Sequence, residues 1–230
     1  MFKPEILAQT AKRHKKVLES LSYVEDALST RYAVANDSIR ALILAVACGE
    51  PLLFVGPPGT GKSQLIRDFC ALSGINLRGN VEGNGERGKV EYFEYLLTPF
   101  TEPSELFGFY DIGSLQEGDP RRLDEGMMQN ARVVYLDEVF NGSSAILNSI
   151  LTFMNERMFH ERGKQRPVAM EYMFGATNLV PESGMLRAIF DRFLIRCRVE
   201  NISTEFEPFQ DLVQKGWGQT YGKQIATGFN

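Results

Sequence analysis

Eight residues, Gly56-Pro57-Pro58-Gly59-Thr60-Gly61-Lys62-Ser63, constrain the fold of this chain more tightly than any other stretch, because they satisfy the pattern G-x-x-x-x-G-K-[ST] at every position. Glycines let the backbone bend around a diphosphate so that successive N–H groups point inward at the anion. The preceding Leu52–Val55 reads as a buried strand. The following Ser63–Leu72 reads as a helix whose positive N-terminus faces the phosphates. Lys62 is then placed to reach the β and γ oxygens and Ser63 to hold Mg²⁺. The alternative, a Gly-rich turn with no ligand, is weakened by the completeness of the match.

Around this loop the chain alternates strands and helices. Val17, Leu21, Val24 and Leu28 share a helical stripe within residues 4–30. Asn36-Asp37-Ser38 offers N-cap candidates for a helix through Ala47, which Gly49 ends. Beyond Gly74, Arg78–Lys89 carries four glycines and mixed charge and reads as a loop. Further strands are expected at Glu91–Leu97, Arg132–Leu136, Met170–Ala176 and Phe193–Val199, with helices at Ser143–Asn155 and Pro181–Phe190. Pro99–Arg122 is rich in turn residues and aromatics, with one short helix expected around Ser104–Leu106, and Arg157–Pro167 reads as a polar hairpin centred on Gly163. The alternation predicts an α/β fold, a parallel five-stranded sheet covered on both faces.

Four residues beyond the loop carry chemistry at this spacing. Val133–Leu136 is an apolar strand that runs into Asp137-Glu138, and ligands of open parallel sheets bind beyond the carboxyl ends of strands. Asp137 is therefore expected to join Ser63 in holding Mg²⁺, and Glu138 to polarise an attacking water as a general base. Asn178 closes the fourth strand; if that strand lies between the first and third, its amide faces the gap between γ-phosphate and water, while an ordinary turn Asn is the competing reading. Arg192 falls between a helix and the fifth strand, at the amino edge of the sheet, roughly 15–20 Å from the chain's own phosphate loop. From there it could reach only a neighbour's γ-phosphate in a head-to-tail ring; Arg187 competes for that role, and a surface salt bridge is the plain alternative.

Composition narrows the function classes. Of the 230 residues, 43% are apolar, enough for a core, and the net charge of −4 does not favour nucleic acid as a partner. Cys48, Cys70 and Cys197 lack metal spacing and sit in apolar contexts, so they read as buried thiols of a reducing cytosol. The run Lys12–Lys16 reads as a solvated helix face. No signal peptide is evident, and the longest apolar run, Ala41–Cys48, is too short to span a bilayer, so a cytoplasmic location without a transmembrane segment is expected.

Taken together, these motifs resemble those of AAA+ ATPases, and more narrowly the MoxR family, with closest likeness to its RavA-type branch. The likeness rests on Gly56–Ser63, Tyr95–Phe100 with Pro103–Gly108, Leu136-Asp137-Glu138, Ala145–Asn148 with Asn155-Glu156-Arg157, Ala176-Thr177-Asn178 and Phe190-Asp191-Arg192, and covers roughly residues 34–200. It implies a P-loop three-layer sandwich divided as an N-terminal helical segment at 1–33, an ATPase core at 34–202 and a C-terminal helix with a Gly-rich tail at 203–230, the roughly thirty residues after the last strand being too few for the family's helical lid. The resemblance also implies ATP with Mg²⁺ held by Ser63 and Asp137, and nucleotide contacts from Pro58, Gly59, Thr60, Gly61, Lys62, Ser63 and Gln64. Glu138, Asn178 and Arg192 take the catalytic roles. It further implies a ring, usually a hexamer, remodelling or metal-loading of client proteins, and a partner with a von Willebrand factor A domain. Pro99–Arg122 becomes the insert in the second helix, with Phe107, Phe109 and Tyr110 as candidate client contacts, although core packing suits Phe107 at least as well. A nucleotide-dependent scaffold or switch with little turnover is the alternative; a nucleic-acid motor or a small-molecule kinase fits less of the sequence.

Overall fold

The computed structural model describes residues 12–32, 35–77, 91–118, 120–161, 164–181 and 184–201, together with 210 and 213. The expected loop Arg78–Lys89, the hairpin tip at Gly163, and the expected C-terminal segment apart from those two residues lie outside the described residues. Cys48–Glu200 forms one compact unit, and the helices before it belong to another. In that other unit, α1 spans Lys15–Arg31 and α2 spans Asn36–Cys48. Only the C-terminal half of the expected α1 stripe is buried, at Val24 and Leu28; Val17 is exposed. The run Lys12–Lys16 is exposed throughout, as a solvated face should be. In α2, Ile39 N–H bonds the carbonyl of Ala35, so Asn36, Asp37 and Ser38 occupy the first turn instead of capping it. Asp37 there complements the positive helix end.

The larger unit is built on a parallel sheet. Its strands are β1 (Leu52–Val55), β2 (Tyr92–Leu96), β5 (Val133–Asp137), β8 (Tyr172–Thr177) and β9 (Ile195–Arg198), in the order β2-β5-β8-β1-β9. All neighbouring pairs run parallel, with Val55 beside Thr177 and Leu136 beside Gly175. The fourth strand of the sheet in chain order thus lies between the first and the third, as the reading of Asn178 requires. Strands buried on both faces must be apolar at successive positions, and Val133–Leu136 is fully buried.

Alternation along β5 assigns the faces. Val134 and Leu136 join the main core with Leu53, Phe93 and Met173, and that core is capped by Ile146, Leu147, Ile150 and Phe153 of α6 (Ser144–Glu156) and by Ile189 of α7 (Gly184–Arg192). The opposite face is covered by α3 (Lys62–Leu72), whose Phe69 meets Phe174 edge to face at 6.1 Å. The result is the expected three-layer α/β fold. Ser143 caps α6 by accepting from Ile146 N–H.

Two expectations are corrected. The helix expected at Pro181–Phe190 instead spans Gly184–Arg192, so Arg192 is its last residue and not a loop residue. The helical stripe continues from Ile189 to the fully buried Phe193, whose N–H bonds Phe190 O at 3.2 Å and holds the last turn. The insert is also more ordered than its turn-rich composition suggested. It holds α4 (Pro103–Phe107), a two-stranded ribbon of β3 (Phe109–Tyr110) and β4 (Arg122–Leu123), and α5 (Ile112–Gln116) between them. A Glu102–Glu105 capping box starts α4, and Asp111 caps α5 through Ser114 N–H at 3.0 Å. The hairpin is present as β6 (Met158–Glu161) and β7 (Lys164–Pro167).

Candidate nucleotide site

The phosphate loop joins β1 to α3, and its shape is imposed on the backbone. Gly59 and Gly61 have φ of +79° and +80°, a region that a side chain disfavours. Gly56 is fixed by crowding: a Cβ there would run into the carbonyl of Val199, just beyond β9. Two backbone bonds tie the loop's start to its neighbours, Gly56 N–H to Thr177 O at 2.9 Å and Val199 N–H to Val55 O at 2.8 Å.

Lys62 opens α3 and folds back over the loop. Its ammonium donates to the carbonyls of Gly56 at 3.0 Å and Pro57 at 2.6 Å, and lies 3.3 Å from Thr60 Oγ1. Burial pushes the amine below its ordinary range, while the charges of Asp137 and Glu138 pull it back up. Only β8 separates β1, which leads into the loop, from β5, which ends in the acidic pair, so the lysine and the two carboxylates stand at the same, carboxyl end of the sheet. Gln64 is exposed and its amide donates to Asp68 Oδ1 at 2.9 Å, so its side chain is engaged along the helix.

Asp137 ends β5, and its Oδ1 accepts from Glu138 N–H at 3.0 Å. Glu138 itself sits in the left-handed region at φ 49°, uncommon for a residue with a side chain. Its Oε2 is buried and has no hydrogen-bond partner among the described residues. Strain plus an unsatisfied carboxylate oxygen is the kind of local cost that functional sites keep. Asn178 follows β8 directly and is exposed, one residue past the Thr177 carbonyl that holds the loop. The register therefore brings Asn178 between the loop and the acidic pair. Arg192 does not join them: it lies before β9, whose Ile195 pairs with Leu52 at the start of β1, so it occupies the other end of the sheet.

The donor set fits a hard divalent cation, since Ser63 offers a hydroxyl and Asp137 a carboxylate. Among the described residues no group of three or more His, Cys, Asp or Glu side chains could hold a metal ion. Sequence reading missed one partner of this site. Arg67, a helical turn after Ser63, donates to Ser63 Oγ at 3.4 Å and makes two bonds to Glu94 of β2, at 2.9 and 3.0 Å. The i, i+4 spacing of Ser63 and Arg67 was visible; the long-range pairing with Glu94 was not.

Of the other candidates, Phe107 is a core residue, stacked on Phe153 with centroids 5.5 Å apart. Tyr110 is tied to Glu161 at 2.9 Å, and Phe109 is exposed. Cys70 is buried and its thiol is pushed up to about 12, whereas Cys48 is exposed, contrary to the reading of three buried thiols.

The sequence profile of the MoxR domain in the MoxR–vWA–beta-propeller ternary systems matches residues 19–227. The chain belongs to the MoxR family. MJ0079 of Methanocaldococcus jannaschii, a protein of uncharacterised function, is 35% identical over 188 residues, covering 81% of this chain and 46% of its own. The chain thus spans about half the length of the curated relatives it matches. A Cytophaga hutchinsonii protein solved as a candidate ATPase superposes with a TM-score of 0.63 at 15% identity, over 94% of this chain and 60% of its own. NtrX from Brucella abortus in complex with ATP superposes at 0.54 with 19% identity, over 96% of this chain and 48% of its own. Both likenesses concern the fold alone: a parallel five-stranded sheet with flanking helices. Among the described residues no helix is long and apolar enough to cross a membrane.

Proposed function

We propose that this MoxR chain binds and hydrolyses Mg-ATP within a ring and uses the energy to remodel a protein partner. One observation carries the reading: the phosphate loop leaves β1 and the Asp137-Glu138 pair leaves β5 with only β8 between them, so Lys62 and the two carboxylates stand at the same, carboxyl end of the sheet. Support also comes from the neighbour NtrX, solved with ATP, and from the family's ternary systems, which point to a von Willebrand factor A domain as partner. The wording of Tyr95–Phe100 and Pro103–Gly108 supports a RavA-type character within MoxR proteins. The ATPase core is assigned to 34–202, flanked by segments 1–33 and 203–230.

Pro58 to Gln64 would cradle the phosphates, Lys62 releasing its loop carbonyls to take the phosphate oxygens. Ser63 and Asp137 would hold Mg²⁺, which when bound supplies charge neutralisation at those oxygens. Glu138, with Oε2 unsatisfied, would accept a proton from the attacking water. Asn178 would orient that water and register the loss of the γ-phosphate. Arg192, too far from its own loop, would act on a neighbour's nucleotide, a contribution of roughly 10³–10⁵ in rate where such arginines act. The insert and hairpin would carry the resulting motion to the client.

Phosphate release and ATP binding, measured on wild type and Glu138→Gln, test this. Turnover should fall by about 10² or more in the variant while ATP affinity is kept. Equal and negligible release from both proteins would replace the motor with a nucleotide-bound scaffold.

A further inference from the structure

On the sheet face covered by α3, a row of polar side chains leads from the edge strand to the proposed metal ligand. Tyr92 OH donates to Glu94 Oε2 at 2.9 Å, and Arg67 Nε meets the same oxygen at 2.9 Å. Arg67 Nη2 is shared between Glu94 Oε1 at 3.0 Å and Ser63 Oγ at 3.4 Å. Glu94 lies beside Tyr135 in the register, and Tyr135 is two residues from Asp137 on the same face. The phenol of Tyr135 is fully buried without a hydrogen-bond partner among the described residues, and its ionisation is pushed up by burial and by the charges of Asp137 and Glu94. The row therefore bonds directly to one proposed metal ligand, Ser63, and shares its sheet face with the other, Asp137.

A serine hydroxyl has two lone pairs and one proton. A guanidinium donating to one lone pair fixes the rotamer of Ser63 and leaves the other lone pair for a cation. The same guanidinium carries a full positive charge one hydrogen bond from that ligand, and such a charge opposes a divalent cation nearby. The fork on Glu94 cancels it. We propose that Arg67 is a positioning residue for the Ser63 metal ligand, and that Glu94 is its counter-charge, so that the pair sets how strongly Mg²⁺ strengthens nucleotide binding. This rests on the Mg-nucleotide reading above.

The proposal makes an unequal pattern of effects. Removing the carboxylate alone leaves an uncompensated cation beside the metal ligand. Removing both partners removes the repulsion and costs only the orientation of Ser63. A purely structural salt bridge would instead lower stability alike in both single variants and leave the metal dependence untouched.

The test is equilibrium binding of a fluorescent ATPγS analogue to the full chain, in saturating Mg²⁺ and in EDTA, for wild type, Glu94→Gln, Arg67→Met and the double variant. The readout is the ratio of the two affinities. Glu94→Gln should lower that ratio about fivefold or more, and the double variant should recover to within about twofold of Arg67→Met. Affinity in EDTA, unchanged across the set, shows that the loop is still folded. Should Glu94→Gln fail that control, Arg67→Lys replaces it: a point charge that cannot fork onto Glu94 must lower the ratio too. A ratio unchanged in Glu94→Gln or in Arg67→Lys, with normal EDTA affinity, overturns the proposal. A wild type that binds no nucleotide in either condition overturns the Mg-nucleotide reading and this inference with it.

Discussion

At Gly56 a single methyl group would collide with the carbonyl of Val199, whereas the insert and the hairpin depend on long side chains reaching across to each other. Arg122 of the insert donates to Glu161 of the hairpin at 2.7 Å, and Arg166 of the hairpin pairs with Asp124, two residues beyond the insert. Arg122 also covers the Tyr110 ring at 4.3 Å. The phosphate loop is thus held by backbone bonds and close approach, which allow one shape. The insert and hairpin are held by crossed charges, which can part and re-form. Under the proposed function, a site that presents N–H groups to an anion would gain from the first arrangement, and elements that carry motion to a partner would gain from the second.

The sharpest way to break the comparison is at the rigid end. Gly56→Ala should destabilise the chain by about 3 kcal/mol, because the obstacle is backbone and cannot rotate away. Denaturant unfolding measures this; a loss under about 0.5 kcal/mol would mean that the loop tolerates displacement after all.

A smaller effect is expected at the adaptable end. Arg122→Met should cost about 1–2 kcal/mol through the lost bond to Glu161, with nucleotide affinity unchanged. The pH dependence has a definite sign. Burial works to raise the Glu161 carboxyl, but the bonds from Arg122 and Tyr110 outweigh it and hold the group below its ordinary range. A carboxylate lowered in this way contributes stability above its unfolded pKa and loses it as pH falls through the folded one. The gap between wild type and Arg122→Met should therefore close in acid. A gap constant with pH would assign the arginine's effect to packing on Tyr110 alone.

The same contrast explains what could be read before any coordinates. Gly59, Gly61, Lys62 and Asp137 were legible because backbone conformation and anion chemistry restrict residue type at fixed spacing. The order of the sheet was legible only as the condition that Asn178 needed. The insert was read as mostly turns because β3 and β4, with two residues each, carry no periodic signal. They are tied down instead by Glu161, which takes Tyr110 and Arg122 from more than thirty residues away in the chain. Glu94 was hidden for the same reason: a carboxylate in a strand looks solvent-facing until Arg67 is seen beside it. The end of α7 at Arg192 was missed because Phe193, read as strand, extends the helical stripe.

The account stands on Lys62 and the acidic pair sharing one pocket, and the titration of the Lys62 amine tests that without any nucleotide. The pH dependence of Lys62 acylation, followed by peptide mass spectrometry, gives its midpoint in wild type and in Asp137→Asn/Glu138→Gln. Both carboxylates raise the amine against the lowering effect of burial, so their removal should shift the midpoint further down. A midpoint that stays where it is in wild type would mean that the two motifs do not meet.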